Sequence, residues 1–216
     1  MTKYFLITRP NYDIPTSYLY DFSQDIIKKV KASKDIHVTN IEGANVTRKN
    51  VEKSIIKEKP NLIFLNGHGT ESCVLGHKDD IILDVKNISL ANKSIIYALA
   101  CNSLSKLGEE SVKIGIRAYI GYREDFMIVT DPNRTSSPSK DKNARPFKEV
   151  CDILITNLVD GYNVDECIKR TKDRYKTLIK FYGTSEDEYG DAPLIRFALT
   201  WDFLNLGTCG DTYASF

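Results

Sequence analysis

Apolar and polar positions in the first 120 residues or so follow two alternating periods. Short apolar runs predict β-strands, and the stretches between them place apolar residues at helical intervals. The predicted strands are residues 4–8, 35–40, 61–65, 94–100 and 118–121, with a small hairpin at 73–76 and 80–83. The predicted helices are residues 17–31, capped by Ser17, 47–57, opened by Thr47, and 104–114. Connections of this length suit parallel pairing, so the pattern predicts a doubly wound, mostly parallel sheet flanked by helices in three α/β/α layers.

The pattern changes after this region. Residues 130–145 are polar, contain Pro132 and Pro138 and lack periodicity, which predicts an exposed and mobile loop. Longer helices are predicted at 146–160 and 164–182, followed by a helix, or a strand and a helix, at 192–206. Because no repeat or clean linker divides the chain, we predict a single domain over residues 1–216 with a helical C-terminal half.

Composition narrows the classes of partner. The 216 residues are 42% hydrophobic, enough for a substantial core. Thirty basic and 29 acidic residues give a net charge of +1, so no global field favours nucleic acid or an anionic membrane. No apolar run approaches the ~18 residues of a membrane span, and the N-terminus lacks the apolar region of a signal peptide. Five scattered cysteines, an odd number, predict reduced thiols and a cytoplasmic location.

Two adjacent predicted strands end in residues with useful chemistry. His68 follows strand 61–65 in the loop Asn66-Gly67-His68-Gly69-Thr70, and Cys101 follows strand 94–100 directly. In an open parallel sheet, reactive groups lie outside the carboxyl ends of the strands. Imidazole titrates near neutrality and can hold a nearby thiol as thiolate. The coincidence predicts Cys101 as a nucleophile and His68 as its general base.

The glycines on either side of His68 allow a peptide backbone to lie against the loop. The backbone N–H groups of Gly69 and Cys101 are therefore predicted to form an oxyanion hole. Taken singly, a cysteine that ends an apolar strand is usually a small buried hydrophobe, and a histidine between glycines is usually a turn residue. Cys151 and Cys167 are predicted to be core residues of this kind, and Cys209 to be partly exposed.

A metal site is a weaker interpretation. Cys73, His77 and His68 form an incomplete zinc ligand set, with unsuitable spacing and no evident fourth ligand. No glycine-rich phosphate loop occurs either. We therefore expect no metal and no cofactor.

Residues 62–69 (LIFLNGHG) and 95–101 (IIYALAC) resemble the paired hydrophobic-block signatures, ending in His-Gly and Ala-Cys, of one clan of cysteine peptidases. The clan holds caspases, gingipains, clostripain, legumains, separases and bacterial CHAT domains. The resemblance covers the arrangement of residues 4–121, and residues 118–121 (AYIG) are similar to the strand after the nucleophile helix in gingipain and CHAT members. It implies a caspase-like fold, a Cys-His dyad without an obligatory third member, no metal, and strict preference for one side chain before the scissile bond.

Two departures leave the subfamily open. Residues 100–103 (ACNS) stand where caspases have Gln-Ala-Cys-x-Gly, so a caspase proper is not expected. Residues 203–207 with Asp211 only faintly resemble the C-terminal Leu-Leu-Gly-Asp-Pro turn of gingipain and CHAT members, since three residues intervene and no proline follows.

The preferred residue before the scissile bond is predicted from charged side chains near the fifth strand, residues 118–121. Glu124 and Asp125 lie beside the expected cleft, and gingipain-like and separase-like relatives accept Arg or Lys in an acidic pocket, so the resemblance implies cleavage after a basic residue. Arg117 and Arg123 offer the opposite preference, for an acidic residue. Any of the four is alternatively a solvated surface charge.

The functional expectation is a cysteine endopeptidase that cleaves a protein or peptide substrate, with a regulatory protein partner as a further expectation. Alternatives on a similar scaffold are a catalytically silent adaptor or interaction module and a flavodoxin-like signalling domain, for which an Asp cluster after the first strand is missing. Residues 130–145 are predicted to act as a lid or self-processing site. The basic residues there are Arg134, Lys140, Lys142 and Arg145.

Overall fold

The computed structural model describes residues 2–184 and 191–216. The strands are β1 (Lys3–Arg9), β2 (Ile36–Glu42), β3 (Leu62–Asn66), β4 (Gly69–Thr70), β5 (Cys73–Leu75), β6 (Ile81–Asp84), β7 (Ile95–Leu99), β8 (Ala118–Tyr122) and β9 (Leu206–Gly210). The helices are α1 (Ile14–Phe22), α2 (Gln24–Ala32), α3 (Arg48–Glu58), α4 (Glu109–Ile114), α5 (Arg145–Val159), α6 (Val164–Thr184) and α7 (Ala192–Asn205).

Six strands form the main sheet in the order β2-β1-β3-β7-β8-β9. The first five are parallel, and β9 runs antiparallel to β8. Strands β4, β5 and β6 make a separate small antiparallel sheet, which contains the predicted hairpin. The predicted doubly wound, mostly parallel architecture is confirmed.

The central strands are buried on both faces, as parallel strands covered by crossover helices must be. In β3, Leu62 and Phe64 pack in the core beneath α1, α2, α5, α6 and α7. Ile63 and Leu65 point the opposite way, towards α3, the small sheet and the turn before α4. Because successive side chains of a strand point to opposite faces, the apolar residues pack into two cores, one on each face of the sheet. The sheet between two helical layers is the three-layer arrangement.

The predicted helix 17–31 is wrong in its start and its continuity. Asp13, not Ser17, is the N-cap of α1: the Asp13 carboxylate accepts from the Thr16 N–H (2.9 Å), and Thr16 Oγ1 accepts from the Asp13 N–H (3.2 Å). This reciprocal capping box satisfies amides that the helix leaves unpaired. The helix then breaks at Ser23, whose hydroxyl accepts from Arg9 Nε (2.8 Å), and α2 begins.

The C-terminal end of the sheet was not predicted. Residues 207–210 belong to β9, which pairs along the whole of β8 with Tyr119 opposite Cys209. The short run alternates weakly between polar and apolar residues, so its strand conformation depends on the edge of β8 rather than on local preference. These residues do not form the turn that the resemblance suggested.

Residues 130–145 are tied to the domain by one buried carboxylate. Asp141, 3% exposed, accepts from the Tyr18 hydroxyl (2.6 Å) and from the Asp131 and Asn143 amides (2.9 Å each). Polar residues thus serve as anchors here, while the mobility of the loop stays a prediction. So does the single domain over 1–216, which includes residue 1 and residues 185–190, outside the described residues. No described helix is long and apolar enough to span a bilayer.

Candidate active site

Four adjacent parallel strands, β1, β3, β7 and β8, deliver the candidate residues to one edge of the sheet. The loops after these strands contain, in spatial order, Asp13, His68, Cys101 and Asp125. Asn66 of β3 pairs with Leu99 of β7, so His68 and Cys101 each lie two residues beyond paired positions. The register therefore brings the predicted base and nucleophile to the same level of the sheet edge, where an open α/β sheet binds its ligands.

Gly69 makes direct backbone contact with the nucleophile turn. A methyl group at Gly69 would lie 2.5 Å from the Cys101 carbonyl oxygen, 2.9 Å from Ala100 Cβ and 3.0 Å from the Cys101 nitrogen. Only hydrogen fits at that position. Gly67 is restricted as well, because its φ is +157° and a methyl there would collide with the carbonyl oxygen of Leu75. Gly69 thus lets the His68 loop pass close to Cys101, and Gly67 lets it pass close to β5.

The oxyanion hole is predicted from the backbone N–H groups of Gly69 and Cys101. The Leu75 N–H donates to the His68 carbonyl (2.9 Å), so the next pair, Gly69 and Val74, is a non-hydrogen-bonded pair of the antiparallel ladder. The Gly69 N–H consequently points away from β5. Within the described part of the chain, the Cys101 N–H has no acceptor. Neither N–H group thus donates to another described residue.

Asp13 joins His68, and the sequence prediction missed it. His68 Nε2 lies 2.7 Å from Asp13 Oδ2, with both side chains about one-third exposed (33% and 34%). Burial by itself raises the pKa of Asp13, but hydrogen bonds from Thr16 and His68 outweigh it and leave that pKa below its usual value. The carboxylate is therefore charged at neutral pH and can orient the imidazole. The available signal was the D-x-x-T capping box directly after the first strand.

Further contacts fix the relative position of the two loops that carry Asp13 and His68. Asn66, at the end of β3, donates its side-chain N–H to the Thr8 carbonyl (2.8 Å), and its backbone N–H donates to the Thr8 hydroxyl (3.1 Å). The Tyr12 ring meets the His68 ring edge-on, with centroids 6.2 Å apart. The ends of β1 and β3 are thereby joined, so the acid and the imidazole are held on a common support.

Cys101 is a partly exposed free thiol whose environment favours the protonated form. Burial raises the pKa of the Cys101 thiol, the backbone N–H of Phe126 acts in the opposite direction, and the negative charge of Asp125 raises the pKa further. The resting sulfur is thus mostly thiol, and forming the thiolate requires a base or relief of the Asp125 charge.

The loop after β8 is connected to the nucleophile turn through Asn102. This residue has a left-handed backbone conformation, with φ of +57°. Its backbone N–H donates to the Glu124 carbonyl (3.0 Å), and its side-chain amide donates to Asp125 Oδ1 (2.5 Å). Both predicted acidic residues are exposed, but Asp125 contacts the turn through its carboxylate, whereas Glu124 does so through its backbone carbonyl.

The two arginines of the opposite prediction lie elsewhere or are engaged. Arg117 precedes β8, at the amino ends of the strands and opposite the end that bears Cys101, and pairs with Asp211 at 3.4 Å. Arg123 follows β8 and lies 4.0 Å from Glu109. An acidic carboxylate, rather than a guanidinium, is therefore nearest to the Cys101 turn among the four candidates.

Three other cysteines have the burial predicted for them: Cys151 and Cys167 are buried and Cys209 is partly exposed. Among residues 2–184 and 191–216, no group of three or more His, Cys, Asp or Glu side chains could hold a metal ion.

No protein-family model and no curated protein sequence matches this chain. Its structure is similar to gingipain R (RgpB), an Arg-specific cysteine proteinase, with a TM-score of 0.58 and 13% identity over 98% of this chain. A complex of the Porphyromonas gingivalis RgpB pro- and mature domains matches with a TM-score of 0.56 and 12% identity over 98% of the chain. The secreted C11 protease iotapain of Bacteroides thetaiotaomicron gives 0.44 and 12% over 58%, covering 53% of its own chain.

The chain spans 47% of each gingipain chain that it matches, so it corresponds to about half of those proteins. At 12–13% identity the likeness concerns the backbone arrangement alone. That arrangement, a mostly parallel sheet between two helical layers, agrees with the prediction made from the His-Gly and Ala-Cys signatures. The chain therefore has the caspase-like fold found in gingipain cysteine proteinases.

Proposed function

We propose that this protein is a cysteine endopeptidase in which Cys101 is the nucleophile and His68 the general base. The observation that carries the proposal is the contact between the His68-Gly69 loop and the Cys101 turn, together with Asp13 at 2.7 Å from the imidazole. Asp13 adds a third member to the predicted dyad. No metal or cofactor takes part in this chemistry.

The hydrogen bond to Asp13 supports different roles for the two imidazole nitrogens. When Nε2–H of His68 donates to Asp13, Nδ1 is left to accept the proton of the Cys101 thiol. The thiolate then attacks the scissile carbonyl carbon, and the protonated His68 gives its proton to the leaving amine. Water, deprotonated by His68, hydrolyses the resulting thioester and releases Cys101.

The amides of Gly69 and Cys101 would stabilise the negative oxygen that forms in each tetrahedral intermediate. Their support is geometric: one amide points away from its ladder and the other has no acceptor among the described residues. A single donor of this kind is worth roughly 10²- to 10³-fold in rate.

Cleavage after Arg or Lys is the specificity that we propose, with Asp125 as the main recognition group and Glu124 at the rim. Asp125 contacts the turn that bears the nucleophile through Asn102, which would have to yield to a substrate guanidinium or ammonium group. A cation there would also offset the charge that raises the pKa of Cys101. The Arg specificity of the structural neighbour gingipain R points in the same direction.

Regulation through residues 130–145 or through a protein partner is a further part of this proposal. Asp141 holds that segment against Tyr18 of α1, the helix whose N-cap is Asp13. Movement of the segment is thereby linked to the acid that orients His68. One gingipain neighbour is a complex of pro- and mature domains, which supports a protein partner as regulator.

A positional-scanning peptide library would test activity and preference together. We expect cleavage only where Arg or Lys precedes the cut, and complete loss in Cys101→Ala. Cys209→Ala is the matched control, because Cys209 is also a free, partly exposed thiol. A thiol-reactive probe with an Arg group should label wild type and Cys209→Ala but not Cys101→Ala. No cleavage of any peptide, with labelling independent of Cys101, would support the silent adaptor instead.

A further inference from the structure

Two consecutive residues near the end of α7 hold the loop after β8 at both sides of Phe126. Trp201 Nε1 donates to the Asp125 carbonyl (2.8 Å), and Asp202 Oδ1 accepts from the Met127 N–H (2.9 Å). The loop would otherwise have few backbone partners near the sulfur. Its position thus depends on a helix 75 residues away along the chain.

Asp202 is an unusual residue on the buried face of α7, because the other buried residues of that helix are apolar. It is completely buried (0% exposed), and its second oxygen has no hydrogen-bond partner within the described residues. Burying a carboxyl group with one oxygen unsatisfied is costly. Burial raises the pKa of Asp202 well above its usual value, while the hydrogen bond from the Met127 N–H acts in the opposite direction. Packing alone does not require such a group.

The held segment is the part of the loop that acts on the nucleophile. Phe126, between the two anchored residues, supplies the N–H that favours the Cys101 thiolate, and Asp125 supplies the charge that disfavours it. A small displacement of this segment changes both effects. It also moves the carboxylate that binds Asn102.

We propose that Trp201 and Asp202 are positioning residues: they hold residues 125–127, with the Asp125 carboxylate on Asn102, against the Cys101 turn, and the Trp201 indole senses occupation of Asp125. This inference rests on the proposed function for the identity of the ligand, a basic side chain. The positioning of Cys101 itself is independent of turnover.

The first test measures Cys101 alkylation by iodoacetamide against pH, with the modified peptide quantified by mass spectrometry. In Asp202→Ala the Met127 amide loses its acceptor while Trp201 still holds Asp125, so Cys101 loses the favourable N–H. The charge of Asp202 also raises the pKa of Cys101, and Asp202→Asn removes that charge while keeping an acceptor for Met127. We therefore expect alkylation at pH 7 to be about five-fold slower in Asp202→Ala than in Asp202→Asn, the effect of one hydrogen bond, with the pH profile displaced to higher pH. The comparison of the two variants isolates the hydrogen bond, because both lack the carboxylate and only Asp202→Asn keeps the acceptor.

The second test uses Trp201, the only tryptophan of the chain, as a reporter. In Cys101→Ala protein, which cannot turn over, an Arg-containing peptide should change the indole emission in a saturable way. The same peptide with norleucine should not, and Asp125→Asn should abolish the response. Calorimetry on the same samples measures binding independently of fluorescence.

The outcomes separate the inference from the proposed function. Equal alkylation profiles in folded Asp202→Ala and Asp202→Asn, or calorimetric binding of the Arg peptide without an emission change, would overturn the positioning roles even if the enzyme is active. Slower alkylation in Asp202→Ala than in Asp202→Asn, with no peptide binding, would support positioning and reject the basic preference. If Asp202→Ala does not fold, Trp201→Phe is the deciding variant, because it keeps an aromatic ring at this partly exposed position but loses the indole N–H. The KM for Arg peptides should then rise about five-fold, and kcat should stay within about two-fold. An unchanged KM would contradict the inference.

Discussion

Replacing Gly69 by alanine tests the contact on which the proposed chemistry depends. The added carbon would lie 2.5 Å from the Cys101 carbonyl oxygen, whereas close carbon–oxygen contacts in proteins are about 3.3 Å. The His68 loop and the Cys101 turn must therefore separate by roughly 0.8 Å, because the atoms in the way are backbone atoms. Since a misplacement of about 1 Å can cost about 10²-fold in rate, we expect kcat/KM to fall about 100-fold.

The assay compares kcat/KM on the best library peptide with thermal unfolding of the same preparation. Overpacking of this kind costs about 1–3 kcal/mol, which a domain of this size can tolerate while remaining folded. Gly183→Ala is the control: the nearest atoms to its methyl would be the end of the Arg196 side chain, at 3.4 Å or more, and activity should be unchanged. A folded Gly69→Ala enzyme with wild-type kcat/KM would refute the reasoning, because the reaction would then not need the two turns in contact.

Further substitutions test the acid, the specificity group and the loop anchor. Asp13→Asn keeps a good N-cap but loses the charge beside the imidazole, so kcat/KM should fall about 10- to 100-fold with little change in melting temperature, and equal activity would contradict the orienting role. Because the pKa of Asp13 is lowered by folding, its stabilising contribution should be present above about pH 4 and lost as the pH falls below that; urea unfolding at pH 5 and pH 3 should show a smaller drop in Asp13→Asn than in wild type. Asp125→Asn should speed Cys101 alkylation at pH 7 about five-fold, the effect of removing a nearby charge worth about 1 kcal/mol; a slower rate would show that this carboxylate does not disfavour the thiolate. Asp141→Ala should cost about 3 kcal/mol in urea unfolding and expose residues 130–145 to trypsin, whereas resistance equal to wild type would mean that the buried carboxylate does not anchor the segment.

Much of the architecture was determined by local patterns. Apolar runs with period two and helical intervals between them are properties of neighbouring residues, and they predicted five strands of the main sheet, the start of α3 at Thr47 and the long helices α5 and α6. His68 and Cys101 were found for the same reason, because each follows an apolar run whose carboxyl end lies at the binding edge of a parallel sheet.

Only the tertiary structure decided which distant residues meet these two. Asp13 lies 55 residues before His68, and its N-cap role is visible in the sequence, but its approach to the imidazole depends on β1 and β3 being neighbours. Strand β9 forms because β8 offers it an unpaired edge, and Asp202 reaches Met127 because α7 packs beneath that loop. Helix and strand periods act over a few residues, whereas these contacts follow from the order of strands in the sheet, which no short stretch of sequence contains.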